Sequence, residues 1–322
     1  MAPQSYQSVK SAVLEAIGTQ ARSHHLASAS DDRTARLWDV ETAKTLATLG
    51  AAHRSLDAAL TTPLSLLDGS SAALGLDEDG QNGSASCAAD PPVESHSGFV
   101  SCVAFNPQGS LVATGSHDEN VRLWDVRSGR TVAIIGAHQE PVVSVEFHPT
   151  DGSLLVTAGY DGLVRVWDVA SRQCLRTIIT EPAAPVGSAR FTPNGRYVLS
   201  STLDGTVRLW DYMCDICVRS YSGHVNRKFS MQCAFLEQQW NKQSVVACGS
   251  EDNRIFMWDV ETQEVCSVLT GHEHPVLALA THPTREVMVS GSNRDIKVWV
   301  PSAQDDNNGE SFESNGTTHT AE

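Results

Sequence analysis

The stretch DENVRLWD, residues 118–125, decides the fold, because the chain writes the same phrase again and again. It returns as DGLVRVWD (161–168), DGTVRLWD (204–211) and DNRIFMWD (252–259). It is preceded by DRTARLWD (32–39) and followed by a worn copy, RDIKVWV (294–300). From Trp124 through Trp167, Trp210, Trp258 and Trp299 the steps are 43, 43, 48 and 41 residues. Self-similarity at such a period marks a small structural unit that cannot bury its own faces, so the units must stack on one another.

Each unit reads as strands. Apolar runs such as SLVATGS (110–116), SLLVTAGY (153–160) and RYVLSST (196–202) precede the phrase, and HDEN (117–120), YDGL (160–163), LDGT (203–206) and EDNR (251–254) supply the turns between. Asp-Gly and Asp-Asn pairs favour tight hairpins, so two adjacent antiparallel strands are expected in every copy. The second strand alternates apolar and Arg or Trp positions, as in Val121, Arg122, Leu123 and Trp124. Alternation puts Arg and Trp on one face, where the arginine stem packs and its charge reaches water or an acid.

Composition excludes several classes. The chain has 322 residues and a formal net charge of −15, which argues against direct nucleic-acid binding, since phosphates need clustered Lys and Arg. An acidic platform suits basic peptides. No apolar run approaches the roughly 18 residues of a membrane span, so no membrane partner is expected. The first twenty residues lack a basic start and apolar core, and without a secretory signal the 8 cysteines read as reduced thiols. No dense Lys/Arg run marks nuclear import.

The histidines His96, His138, His224 and His272 each open a repeat. Asp32, Asp118, Asp161, Asp204 and Asp252 stand six residues before the tryptophan, and Ser28, Thr114, Thr157 and Ser200 four residues before most of these aspartates. Groups repeated once per unit at one spacing read as an internal hydrogen-bonded network, whose members must all be satisfied, rather than as acid–base catalysts. GxSxG, Walker and HExxH patterns are absent, so the expectation is a non-enzyme without a cofactor. Cys214 and Cys217 form CDIC, half of a zinc pattern, but a second pair is wanting, so they read as turn cysteines and no metal is expected.

The repeats with their Trp-Asp endings resemble WD repeats, each a four-stranded blade of an all-β propeller. Six repeats are recognisable. Residues 1–50 hold the first visible repeat plus a strand that closes the ring, expected around Tyr6–Lys10 as the outer strand of the last blade. Closure of this kind removes an exposed sheet edge. Residues 51–95 hold no aromatic residue and are rich in Ala, Ser, Gly and Asp, which reads as a flexible low-complexity insertion or a degenerate blade. Residues 96–300 carry five clear repeats, and the polar, acidic tail 301–322 reads as disordered.

From His96 to Trp299 the chain also resembles the propeller subunit of COMPASS-type histone lysine methyltransferase complexes. The resembling segments are SGFVSCVAFNPQGSLVATGSHDENVRLWDV (97–126), YDGLVRVWDVASRQCLRTI (160–178), FTPNGRYVLSSTLDGTVRLWDY (191–212), GSEDNRIFMWDVETQE (249–264) and THPT (281–284). The resemblance implies seven blades, one degenerate or missing, and a nuclear, non-catalytic scaffold with a cytoplasmic pool allowed. Its partners would be a SET-domain methyltransferase, the other core subunits and the histone tail.

In that family one mouth of the central channel holds an arginine between two phenylalanine rings, a cation–π arrangement. By resemblance Asp31, Ser144 and Tyr160 match pocket positions, and Phe229 replaces a tyrosine. The two sandwiching rings fall on Ser101 and Gln232, and Gly187 and Ser230 also depart, so weak or altered arginine recognition is expected. The opposite groove, which takes an acidic-aliphatic segment of a partner subunit, is matched at Asn194, Tyr197, Leu209, Arg219 and Phe235, with Val218 in place of a leucine. A second resemblance gives a different function. Trp124, Asp125 and Arg127 end repeat 111–127 in a Trp-Asp-X-Arg motif similar to that by which WD proteins dock on a cullin-RING ligase adaptor, with Arg127 the key residue.

Overall fold

The computed structural model describes residues 25–50, 95–180, 183–237, 244–282, 287–301 and 312–314. Among the described residues the chain forms six antiparallel sheets in sequence order. The first has three strands, β1 (His25–Ala29), β2 (Ala35–Asp39) and β3 (Lys44–Leu49). The second holds β4 (Val100–Phe105), β5 (Leu111–Ser116), β6 (Asn120–Asp125) and β7 (Thr131–Gly136), and the third β8 (Val142–Phe147), β9 (Leu154–Gly159), β10 (Leu163–Asp168) and β11 (Cys174–Ile179). The fourth holds β12 (Val186–Phe191), β13 (Val198–Thr202), β14 (Thr206–Asp211) and β15 (Ile216–Ser222), and the fifth β16 (Cys233–Glu237), β17 (Ser244–Gly249), β18 (Ile255–Asp259) and β19 (Val265–Leu269). The sixth holds β20 (Ala278–Thr281), β21 (Met288–Gly291), β22 (Ile296–Pro301) and β23 (Phe312–Ser314).

The expected hairpins are present, and the Trp-Asp phrase is the third strand of every four-stranded sheet. Outer strands slip by one residue at the tryptophan, as between Leu123 and Trp124 or Val166 and Trp167. Such a bulge leaves one residue unpaired and increases the local twist.

The core lies between sheets rather than inside them. Ala27, Leu37 and Leu49 of the first sheet pack on Val112 and Trp124 of the second. Trp167 of the third sheet enters the cluster of the second, and Trp210 of the fourth that of the third. Trp258 and Trp299 repeat the step at the next two seams. Each phrase therefore covers the face its predecessor exposes, which is why one unit cannot fold alone.

This packing overturns the seven-bladed expectation: the propeller has six blades. A blade between the first and second sheets would hold them roughly 20 Å apart, since packed sheets stand about 10 Å from one another. Instead Leu49 and Trp124 share one core cluster, and the Val100 N–H donates to the Ser30 carbonyl at 3.2 Å. Gly50 adopts φ +87°, and a Cβ built on it would lie 3.4 Å from the Cα of Ser95. The chain thus departs and returns at one point. Of the stretch 51–95, read as an insertion or a degenerate blade, all but Ser95 lies outside the described residues.

The closing strand also differs from expectation. The fourth strand of the last sheet comes from the C-terminal tail, with Trp299 paired to Ser314 and Pro301 to Phe312. The three residues Phe312–Ser314 of the tail read as disordered are therefore a strand, and Tyr6–Lys10 lie outside the described residues.

Candidate functional site

The repeated polar residues assemble inside the sheets. In the second sheet His96 Nδ1 lies 2.9 Å from an Asp118 carboxylate oxygen, His96 Nε2 2.8 Å from Thr114 Oγ1, and the Trp124 indole N–H donates to that hydroxyl at 2.8 Å. A neutral imidazole donating from Nδ1 and accepting the threonine proton at Nε2 satisfies every member. His138, Asp161, Thr157 and Trp167 repeat the arrangement, as do His272, Asp295, Ser290 and Trp299. Burial alone would raise the Asp118 and Asp161 carboxyls, but hydrogen bonds and charge from their histidines hold both below the usual carboxylate range. These pairs are cross-braces within blades.

The expectation fails in two sheets. The fourth has Glu181 where the others have histidine, a position outside the described residues, and the Thr180 hydroxyl before it donates to the Gly162 carbonyl; Asp204 takes the Arg208 guanidinium at 2.8 Å. Burial would raise Asp204, but Arg208, Thr202 and Thr206 hold it down to about 2. In the fifth sheet His224 is buried with neither ring nitrogen bonded, a correction to its place in the network. The cause is chemical. Cys248 stands at the register of Thr114 and Thr157, and Phe256 at that of Arg122 and Arg165. The Trp258 indole therefore donates to the Ser222 carbonyl, and Phe256 and Trp258 stack at 5.9 Å.

The channel-mouth residues fall on inner strands and the loops beside them. Ser101 is the unpaired bulge residue of β4, and its hydroxyl donates to the Val142 carbonyl of β8. Ser144 on β8 donates to Ala189 O and accepts from Ala189 N on β12. The Tyr160 hydroxyl lies 2.9 Å from Ser230 Oγ, and a Cβ on Gly187 would come within 3.1 Å of Ser230 Cα. Phe229 leans on the seam between the fourth and fifth sheets. Gln232 donates its backbone N–H to Leu277 O, while its Oε1 is buried without a hydrogen-bond partner. The structure brings Tyr160, Gly187 and Ser230 together and leaves Asp31 in an exposed turn of the first sheet. The hydroxyls at Ser101 and Ser144 are spent on neighbouring inner strands.

The residues of the opposite groove converge more closely. Leu209 is buried in the seam between the fourth and fifth sheets, with Tyr197 and Phe235 partly buried against the same cluster. Leu209 pairs with Arg219 across β14 and β15, and Val218 and Arg219 are half-buried. The Arg196 guanidinium lies 5.2 Å from the centre of the Tyr197 ring. Asn194 is exposed and its side-chain oxygen accepts from Thr192 Oγ1 and Arg196 N, so it shapes the turn. Elsewhere, Trp124 is fully buried, the Asp125 carboxylate accepts the Arg127 N–H at 2.8 Å, and Arg127 is exposed. Cys214 and Cys217 are exposed, and among the described residues no three His, Cys, Asp or Glu side chains gather as metal ligands.

The repeat family described as "WD domain, G-beta repeat" matches residues 15–39, 91–125, 129–168, 172–211, 215–259 and 263–300. The chain belongs to the WD40 family. Among curated proteins, this WD40 chain is 29% identical over 209 residues to the Periodic tryptophan protein 2 homolog of Dictyostelium discoideum, covering 64% of this chain and 18% of that one. It is 40% identical over 52 residues to Transcription initiation factor TFIID subunit 5 of Caenorhabditis elegans, covering 16% and 8%. It is 36% identical over 62 residues to the Guanine nucleotide-binding protein subunit beta of Schizosaccharomyces pombe, covering 19% and 20%. The chain thus spans at most about a fifth of these relatives. None of the three is named for a methyltransferase complex, so the comparisons support a WD40 interaction scaffold and leave the narrower resemblance unsupported.

Two features of the WD40 ring escaped the sequence reading. The inner strands are stitched by side chains, Ser144 to Ala189 and Ser188 Oγ to Cys233 Sγ at 3.3 Å, which no local pattern announces because the partners lie 45 residues apart. The altered fifth blade did leave a signal: Cys248 stands four residues before Asp252 where other repeats place Ser or Thr.

Proposed function

We propose that this WD40 propeller is a non-catalytic scaffold that assembles a nuclear complex, most specifically a histone lysine methyltransferase complex, by holding partner peptides on its two faces. The observation that carries the reading is the seam between the fourth and fifth sheets. There Tyr197, Leu209 and Phe235, 38 residues apart at the extremes, meet around one cluster with two partly open rings and Arg219 beside them. Apolar surface with a flanking cation suits an acidic-aliphatic segment, which an otherwise acidic protein would repel elsewhere. Replacing Tyr197 and Arg219 with alanine together should release a core subunit of the complex while the ring stays folded; retained binding in a pull-down overturns the groove.

The channel mouth is assigned a lesser part. Without rings at Ser101 and Gln232 a guanidinium has no aromatic faces to stack on, and Tyr160 is engaged with Ser230. An arginine-containing methyltransferase peptide should bind weakly, and a submicromolar dissociation constant would refute this. Affinity purification of the tagged chain should recover a SET-domain methyltransferase and its core subunits.

One observation favours a second reading. Arg127 is exposed directly after the buried Trp124 and the Asp125 turn, as docking on a cullin-RING ligase adaptor requires. Recovery of cullin and its adaptor, lost in Arg127→Ala, would replace the first reading.

A further inference from the structure

We propose that β7, the outer strand of the second blade, is a self-association edge: two copies of this chain pair antiparallel along it, about a two-fold axis through Ile134. β7 ends the order β4-β5-β6-β7, and among the described residues no strand pairs with its outer side. The Ala137 N–H donates inward to the Glu119 carbonyl at 3.1 Å, and in an antiparallel ladder inward bonds recur at every second residue. Ala133 and Ile135 therefore bond towards β6, while Ile134 and Gly136 present their N–H and C=O groups on the free side. Side chains alternate likewise. Ala133 and Ile135 are buried in the seam with the third blade, whereas Val132 and Ile134 are 46% and 51% exposed. The bulge falls at Val132, between the pairs Leu123–Ala133 and Trp124–Thr131, so the regular ladder runs over Ala133–Gly136.

Proteins ordinarily blunt a sheet edge with charge. The other outer strands of this ring do so: β3 carries Lys44, β11 Arg176, β15 Arg219 and β23 Glu313. β19 has no charge of its own, but exposed acids stand at both ends, Glu261 and Glu264 before it and Glu273 after it, so two copies would repel there. β7 has no charged residue between Thr131 and Gly136, and its ends differ in sign. Exposed Arg127 and Arg130 stand at its start, and exposed Glu119 and Glu140 at its finish. Two further acids lie close by and are engaged: Asp125 accepts the Arg127 N–H, which leaves the start net positive, and Asp118 takes His96. Antiparallel pairing sets the basic start of each copy against the acidic finish of the other, and the two-fold axis repeats the contact. The formal net charge of −15 opposes association of like copies, so opposite charge at the contact is what selects this edge. With Ile134 opposite Ile134, Val132 faces the bare Gly136 of the other copy, and the aliphatic side chains stack on the outer face without crowding. A single short strand pair is a small interface of the transient class.

Sedimentation velocity of the full chain over a concentration series tests the edge. Wild type should pass from monomer to dimer between about 1 and 500 μM, the range of a transient interface. Ile134→Lys sets two ammonium groups opposite one another and should weaken the dimer at least about tenfold. Two double reversals probe the ends: Arg127→Glu with Arg130→Glu, and Glu119→Arg with Glu140→Arg. Each should be monomeric alone, because its ends then carry one sign. An equimolar mixture of the two should dimerise, since every end contact again joins unlike charges. Both reversed chains remain acidic overall, so general attraction does not account for such a rescue, and the rescue shows that both are folded. A wild type that stays monomeric throughout the series would overturn self-association. Dimerisation untouched by Ile134→Lys, or a mixture no more associated than its components, would overturn β7 as the site.

Discussion

Lowering the pH from 7 to 4.5 should destabilise this propeller through His224, and by a predictable amount. Burial pushes the imidazole down to about 4 from an ordinary 6.5, with Asp204 and Asp252 pulling weakly the other way. The unfolded chain therefore binds a proton at 6.5 that the folded chain refuses until about 4. Between those values the unfolded state carries the extra proton, so acid favours unfolding; the contribution is intact above 6.5 and fully lost below 4. At pH 4.5 the two values differ in proton binding free energy by about 2.5 kcal/mol. Asp118, Asp161, Asp204, Asp252 and Asp295 are all held below 3.8, so their stabilisation is present above that value and is lost only as pH falls further. The window from 6.5 to 4.5 is thus reserved for histidines. His272 is also lowered by burial, against the pull of Asp295, and adds a loss of the same sign, so the comparison must be with a variant. Urea unfolding of wild type and His224→Gln at pH 7 and 4.5 isolates the residue. Wild type should lose about 2.5 kcal/mol more than the variant. Equal losses would mean that the buried ring is charged or solvated in the folded state, and the description of the fifth blade would fall.

Three further outcomes follow from the same geometry. Replacing residues 51–94 with a four-residue linker from Gly50 to Ser95 should leave one cooperative transition and add at most about 2 kcal/mol by shortening the closed loop; loss of cooperativity in a thermal melt would show that the segment belongs to the ring. Cys248→Ser should stabilise by about 1 kcal/mol, a rise in Tm of about 2–4 °C, because a hydroxyl there can serve His224 and Trp258 as Ser290 serves His272 and Trp299. Thr157→Val should cost about 3 kcal/mol in urea unfolding, since one hydroxyl serves both His138 and Trp167; a loss below about 1 kcal/mol would deny the brace its energetic role.

The parts of this fold that were legible in the sequence are those fixed by local chemistry. Asp-Gly and Asp-Asn turns, alternation around Val121–Trp124 and the constant step between tryptophans announce strands, hairpins and stacking, and each lies within one repeat. Blade number and closure were not legible because they depend on which surfaces meet. The composition of 51–95 says that the segment is poor strand material, but only the core shared by Leu49 and Trp124 and the approach of Gly50 to Ser95 show that the first and second sheets pack directly, with no blade between them. The closing strand was misplaced for the same reason: Phe312–Ser314 lie in a polar tail, and pairing with Trp299–Pro301 is a property of the edge that needs covering.

The candidate faces divide along the same line. Asn194, Tyr197 and Leu209 were found by resemblance to a sequence motif, and the fold adds that Tyr197, Leu209 and Phe235 share one seam while Asn194 serves its own turn. At the channel mouth the fold adds a competing use for three polar groups, Ser101 on Val142, Ser144 on Ala189 and Tyr160 on Ser230. A ligand entering there must replace bonds already made, whereas a segment lying against Tyr197 and Phe235 need only cover open ring surface. Displacing satisfied hydrogen bonds returns little net free energy, and covering apolar surface returns about 25 cal/mol for every Å² removed from water. On that physical ground the seam between the fourth and fifth blades, more than the channel mouth, is where this propeller should hold its partner.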